Sequence, residues 1–215
     1  MSQLIQRLRD AIGKKQHVIW DWNGTLLDDV DHAVRVVNTL LDEHRLPRID
    51  RDKYRQVFCF PVYDYYKKIG FDYQAESFES LCEKFVSRFM DGIPSLQLVS
   101  EMKNTIDLLH QDGLQQSVLS ASDQVNLEMM MKHYELDRVF RHVYGIDNKL
   151  AGSKIARGHE LIHNAGFPQS DTVIIGDTLH DLEVAQELGV DAILISHGHQ
   201  CPTRLRPHHD LVIEV

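Results

Sequence analysis

A run of three apolar residues, Val18-Ile19-Trp20, reads as a short buried strand. It stops at Asp21, and Asn23-Gly24 turns the chain. Before it, Leu4, Ile5, Leu8 and Ile12 share one helical face over residues 2–12, with Ser2 as a possible cap and Gly13 as a stop. After it, Val30, Ala33, Val34, Val37, Leu40 and Leu41 predict an amphipathic helix ended by Pro47. Asp50 can cap a helix carrying Tyr54, Val57 and Phe58, which Pro61 breaks. Val62, Tyr65, Tyr66 and Ile69 resume helical spacing up to Gly70, and Phe78, Leu81, Cys82, Phe85 and Phe89 repeat it before Gly92 and Pro94. No strand pattern falls between about residues 30 and 94, so this stretch reads as an all-helical insertion.

Beyond Pro94 helices and strands alternate. Val99, Met102, Ile106 and Leu109 form a helix face ending at Gly113, and Ser117-Val118-Leu119 is a short strand. Leu127, Met130 and Met131 mark the next helix, and Val139-Phe140 and Val143-Tyr144 are weak strand candidates. Ser153 can cap a helix bearing Ile155, Leu161 and Ile162. Thr172–Ile175 is a strong buried strand, followed by a helix through Leu182, Val184, Ala185 and Leu188. Ala192–Ile195 is another strand, and Leu211-Val212-Ile213 a last edge strand. Such alternation implies parallel pairing and a three-layer α/β core.

Composition narrows the function classes. The 215 residues are 43% hydrophobic, and no apolar run approaches the ~20 residues of a membrane span. The start of the chain lacks the basic and apolar regions of a secretion signal. The three cysteines, Cys59, Cys82 and Cys201, are odd in number and far apart, which suits free thiols in a reducing cytoplasm. A net charge of −9 argues against nucleic acid as the main partner. If such an acidic chain handles phosphate, it needs a bound cation or a well-placed Lys.

Strand 18–20 ends in Asp21, strand 117–119 in Ser120 and strand 172–175 in Gly176-Asp177. In a parallel sheet these ends share one edge, where open α/β sheets bind ligands. Lys154 at the first turn of its helix can bring a cation there. One polar strand-end residue alone is commonplace as a helix cap. Four in this order point to a site.

The stretch Asp21-x-Asn23-Gly24-Thr25-Leu26-x-Asp28 resembles the first signature of the haloacid-dehalogenase-like hydrolases. Ser120 matches that superfamily's second motif, Lys154 its third, and Gly176-Asp177-Thr178-Leu179-His180-Asp181 its Gly-Asp-x-x-x-Asp fourth. The insertion resembles the helical cap of the phosphoglycolate phosphatase and β-phosphoglucomutase group, and Ser120-Ala121-Ser122 resembles the phosphomutase branch. The resemblance implies a Rossmann-like core from residues 1–28 and 95–215, with a cap over 29–94. It further implies a Mg²⁺-dependent phosphatase for a small phosphorylated metabolite, acting in the cytoplasm as a monomer or homodimer, away from membranes and nucleic acid.

The same resemblance implies the roles. Asp21 would attack phosphorus, and Mg²⁺ would be held by the Asp21 side chain, the Asn23 backbone carbonyl and Asp177, with Asp181 just beyond the direct ligands. Gly24, Thr25, Ser120, Ala121 and Lys154 would bind phosphate. The residue types suit the chemistry: a carboxylate nucleophile splits hydrolysis into two displacements, and a cation must offset the repulsion between two anions. Asn23 departs from the phosphatase pattern, which carries Asp there to protonate the leaving group and then activate water. An amide cannot transfer a proton, a loss of roughly 10²–10⁴ in rate. A good leaving group, such as an acyl phosphate, would suffer less.

That departure keeps two alternatives open: a phosphomutase or phosphonate hydrolase of the superfamily, and a phosphate-ligand-binding regulatory protein with little catalysis. The phosphonate enzyme needs a Schiff-base Lys in the cap, where nothing distinguishes Lys53, Lys67 or Lys68 from solvated helix faces. His180 could partly replace the missing acid, though a histidine at a helix start normally faces solvent. His197-x-His199-x-Cys201 could bind a transition metal or simply form a polar loop at the mouth of the site. The aromatics Phe58, Phe60, Tyr63, Tyr65 and Tyr66 read first as core of the insertion.

Overall fold

The structure, a computed structural model, describes residues 3–146 and 154–214. Helices α1 (Gln3–Ile12), α2 (Val30–Glu43), α3 (Arg51–Val57), α4 (Val62–Lys68) and α5 (Phe78–Gly92) surround the first strand, β1 (His17–Trp20). Then follow α6 (Met102–Gln111), β2 (Gln115–Asp123), α7 (Gln124–His133), β3 (His142–Ile146), α8 (Lys154–Ala165) and β4 (Thr172–Gly176). The order closes with α9 (Leu179–Leu188), β5 (Asp191–Ile195), α10 (Pro202–Leu205) and β6 (Val212–Ile213). The expected insertion is helical throughout among the described residues, with no strand between β1 and β2.

The six described strands form one sheet in the order β3-β2-β1-β4-β5-β6, and every pair is parallel. The chain moves from β1 outward to β2 and β3, then crosses to β4 on the other side of β1. That reversal makes β1 and β4 the switch point, and the crevice beyond their carboxyl ends is where such sheets bind ligands. Side chains of β1 alternate across the sheet. Val18 and Trp20 pack with Leu8, Leu40, Ile106 and Met130, while Ile19 packs with Leu161, Leu182 and Leu188 on the opposite face. This is the three-layer α/β core that the alternation predicts.

Several boundaries differ from the sequence reading. The helix before Pro47 stops at Glu43 because Arg45 takes a left-handed φ of 56°. Phe58 caps α3 rather than lying in it, and Val99 precedes α6, its N–H bonded to the Leu26 carbonyl at 2.8 Å. Strand β2 extends past Leu119 to Asp123, with a register irregularity between them, and its polar end lies beyond the apolar run that marks the strand in the sequence. Val139 and Phe140 lie in a turn, and Phe140 is buried beneath it, which explains the apolar signal without a strand. The caps read at Ser2 and Ser153 lie outside the described residues.

At the start of β1 a buried histidine spans three strands. His17 Nε2 is 2.9 Å from Ser117 Oγ on β2, Nδ1 is 3.4 Å from Thr172 Oγ1 on β4, and the ring stacks on Phe167. Burial, with a smaller push from His142, lowers its pKa to about 4 from 6.5. Between those values the unfolded chain holds a proton that the folded ring refuses, so stability falls as pH drops from 6.5 toward 4, by about 3 kcal/mol at the lower limit. We expect the urea midpoint to fall less between pH 7 and pH 4.5 in His17→Gln than in the parent. Equal falls would show that His17 does not carry this dependence.

Candidate active site

Strand β1 delivers Asp21 to the switch point, its N–H still bonded to Ile175 of β4 at 2.9 Å. The next residues wrap tightly, with the N–H groups of Leu26 and Leu27 both on the Trp22 carbonyl. Gly24 takes φ +73°, and a Cβ there would collide with the Asp177 carboxyl and the His199 ring. Asp177 follows β4 at once. Its Oδ1 accepts from Thr25 Oγ1 at 3.1 Å and its Oδ2 from the His199 N–H at 2.5 Å. Asp181 closes a capping box with Thr178 at the start of α9, which leaves Oδ1 free for Lys154.

Lys154 is buried at the head of α8, and its Nζ lies 2.5 Å from both Asp21 Oδ1 and Asp181 Oδ1. Asp21, Asp177 and Asp181 offer carboxylate oxygens within 4.8 Å of one another, all buried. One ammonium cannot neutralise three carboxylates. Burial pushes Asp21 up to about 6, with Lys154 pulling it back and Asp181 adding to the rise. Burial also pushes Asp177 up to about 8, the His199 charge opposing and its two acidic neighbours reinforcing. Asp181 is held low because the Lys154 charge overrides its burial. An oxygen-only donor set with surplus negative charge fits a hard divalent cation.

Asn23 lines the same cavity, and its amide belongs to a second polar network. Its Nδ2 donates to Asp29 Oδ2 at 2.8 Å, and its Oδ1 accepts from Ser122 Oγ at 2.8 Å. Asp29 is buried, and its Oδ1 accepts from the Gly24 N–H at 2.7 Å. His199 Nε2 lies 3.3 Å from the same oxygen, and His199 Nδ1 is hydrogen-bonded to Tyr54 Oη at 2.8 Å. Burial works against the His199 charge, but Asp29 and then Asp177 push its pKa up to about 9.

The helical insertion is fastened to this edge. Arg55 of α3 reaches the carbonyls of Ser196, Gly198 and Gln200, and the Gln200 side chain joins the Leu179 N–H to the Phe58 carbonyl. Between the insertion and the sheet lies a cavity of about 900 Å³, with Asp21, Lys154 and Asp177 at its base.

Residues 18–195 match the family model for haloacid dehalogenase-like hydrolases, most of the chain. The chain belongs to that family. It is 23% identical to a phosphoglycolate phosphatase from Synechococcus elongatus over 183 residues, 85% of this chain and 84% of the relative. It is 25% identical to a 5′-nucleotidase from Pseudomonas aeruginosa over 214 residues, 94% of this chain and 91% of the relative. A haloacid dehalogenase-like family protein from Streptococcus pneumoniae superposes with a TM-score of 0.76 at 21% identity, covering 94% of each chain.

As a haloacid dehalogenase-like hydrolase, the chain brings Asp21, Lys154, Asp177 and Asp181 together, and Ser120 is buried on the same edge. Ser120 Oγ accepts from the Ser122 N–H at 3.0 Å, and Ala121 lines the cavity. Gly24 and Thr25, expected on phosphate, are turned elsewhere: the Gly24 N–H serves Asp29, and the Thr25 hydroxyl serves Asp177. His180 stacks on Phe60 and bonds Glu183 at 3.2 Å. His197, His199 and Cys201 do not converge on a metal. Their partners are the Thr25 carbonyl, Asp29 with Tyr54, and Thr203. Four of the aromatics, Phe58, Phe60, Tyr65 and Tyr66, line the cavity, whereas Tyr63 is not among its lining residues and packs at a tilt against Tyr73.

Sequence reasoning missed Asp29, His199, Tyr54 and Ser122 as one network. The available signal was the second carboxylate of Asp28-Asp29: Asp28 is exposed, and Asp29 carries the contacts.

The surplus charge predicts opposite responses from two substitutions. Without metal, folded Asp177 keeps its proton up to about pH 8 while the unfolded side chain loses it near 3.8, so this group costs stability as pH rises between those values. In chelator at pH 7.5, Asp177→Asn is therefore expected to raise Tm. Lys154→Met strands two buried carboxylates and should cost about 3 kcal/mol or more. Calorimetric scans check both, and destabilisation by Asp177→Asn would contradict a surplus.

Proposed function

We propose that this chain is a Mg²⁺-dependent phosphatase that passes a phosphoryl group through an aspartyl-phosphate on Asp21. The observation that carries the reading is the buried, oxygen-only cluster of Asp21, Asp177 and Asp181 around Lys154 at the switch point. Phosphatase-named relatives spanning most of the chain support it.

In this reading the Asp21 and Asp177 side chains and the Asn23 carbonyl hold Mg²⁺, and Asp181 fixes Lys154 beside it. Bound there, the ion neutralises charge on the phosphoryl oxygens. Lys154 places a positive charge on the phosphate and on Asp21. Ser120 Oγ accepts from the Ser122 N–H, which leaves its proton to donate to a phosphoryl oxygen, and the Ala121 N–H adds a second donor. Thr25 and the His199 N–H orient Asp177. Asp21 attacks in line, the leaving oxygen departs, and water then cleaves the acyl phosphate.

Asn23 makes slow turnover the expectation. It holds the position of the usual acid but has no proton to give, and its amide is locked between Asp29 and Ser122. The same lock favours a second reading, a phosphate-ligand binder with little catalysis.

The lock also dictates the test. Asn23→Asp alone would press two carboxylates together where Asn23 Nδ2 now meets Asp29 Oδ2 at 2.8 Å. Exchanging the pair, Asn23→Asp with Asp29→Asn, reverses the hydrogen bond between them and leaves an acceptor oxygen for the Ser122 hydroxyl and for the Gly24 N–H. We expect the exchanged variant to gain about 10²-fold or more in phosphate release with Mg²⁺, and the single variant to be less stable than either. If neither parent nor exchanged variant releases phosphate from any ester, the phosphatase reading fails. A silent parent beside an active exchanged variant would favour the binder.

A metal-binding measurement is independent of turnover. Mg²⁺ should raise the Tm of the parent and leave that of Asp177→Asn unmoved, since a ligand that binds only the folded state stabilises it.

A further inference from the structure

We infer that the substrate is a phosphomonoester of a phenol carrying an apolar body and no second anionic group. The inference rests on the phosphatase reading above and names the substrate class of that site.

The first observation is the cavity. Away from the carboxylates at its base, its wall is built from Phe58, Phe60, Phe85, Phe89, Met90 and Met130. At about 900 Å³ it lies within the range of sites that enclose a drug-sized ligand. Among its described lining residues Lys154 is the sole Lys or Arg, and both its near contacts are carboxylates. The insertion and the end of β2 present Glu79 and Asp123 to the cavity instead. The two histidines that line it already face carboxylates, His199 on Asp29 and His180 on Glu183, so among the described residues a second carboxylate or phosphate on the substrate would find no uncommitted counter-charge, and burying an unpaired anion is costly. The Tyr65 hydroxyl, buried without a partner, suits one neutral hydrogen-bonding group on the substrate body.

The second observation is independent and concerns the reacting atoms. Asn23 cannot protonate the leaving oxygen. The first step therefore forms the Asp21–phosphorus bond while the phosphorus–oxygen bond to the leaving group breaks, and the oxygen departs with the bonding pair as an anion. An alkoxide is a poor leaving group without a proton, whereas a phenolate is stable enough to leave and take its proton from water. Water then breaks the Asp21 phosphoryl bond, returning the carboxylate and inorganic phosphate and releasing one proton to solvent. The core lacks an acid and the insertion offers aromatic surface, and a phenol ester satisfies both.

The test compares esters and non-reacting analogues on the full chain with Mg²⁺. Calorimetric titration with 1-naphthylmethylphosphonate and with phosphonoacetate measures binding without turnover, and the naphthyl compound should bind at least ten-fold tighter. In turnover, 1-naphthyl phosphate should exceed 2-phosphoglycolate in kcat/KM by about a hundred-fold or more. Across ring-substituted phenyl phosphates the parent's rate should fall steeply as the phenol pKa rises, and the Asn23→Asp, Asp29→Asn exchange should flatten that slope. Equal or tighter binding of phosphonoacetate, or preference for 2-phosphoglycolate, overturns the substrate class and leaves the phosphatase reading intact. Tight naphthyl binding with no phosphate released by either protein overturns the phosphatase reading and retains the ligand class. A slope unchanged by the exchange overturns the leaving-group argument.

Discussion

The site depends on an electrostatic imbalance that the fold imposes and does not itself relieve. Three strand-end and helix-start carboxylates are driven into one buried pocket, and a single ammonium is placed among them. Hydrophobic burial supplies the force. Strand β1 is buried along its whole length, so Asp21 goes wherever Val18, Ile19 and Trp20 go. Close approach of backbone supplies the rest. Gly24 and Gly198 both crowd Asp177 so tightly that a Cβ on either would displace its carboxyl. The pocket thus carries buried negative charge in excess of its ammonium, the usual trade of stability for function at an active site.

Much of this was legible in the chain. Hydrophobic runs at Val18–Trp20, Thr172–Ile175 and Ala192–Ile195 are short, bounded and apolar on both faces, which is the mark of parallel strands buried between helices. Strand-end polar residues then follow from topology alone. The elements that misled were those whose signal is not periodic. The end of β2 is polar, because Ser120, Ser122 and Asp123 serve the site and the next helix rather than the core. Phe140 is apolar because a turn is buried there, and no spacing rule separates that from a two-residue strand.

The network around Asn23 was illegible for a different reason. It joins four segments that are distant along the chain: the first loop, α3, the end of β2 and the loop after β5. No spacing connects Tyr54 to His199, and only the packing of the insertion over the sheet makes them neighbours. Read from sequence, Asn23 is a lost acid. In three dimensions it is one half of an amide–carboxylate pair whose other half, Asp29, also faces His199.

That displacement links the chemistry of the core to the lining of the insertion. An enzyme that protonates its leaving group can accept any alcohol its pocket can hold, so its specificity is set by contacts alone. A site without that proton already discriminates at the bond that breaks, before any contact is counted. The pocket must then supply affinity for the class of leaving group the chemistry permits, and stable oxyanions of aromatic alcohols carry a flat apolar ring beside the reacting oxygen. Phe58 and Phe60 line the cavity from the segment that Arg55, Gln200 and Arg204 pin to the sheet edge, so their surface is held rigid against the carboxylates. Rigid aromatic surface binds a rigid ring at low entropic cost, because neither side has much freedom to lose.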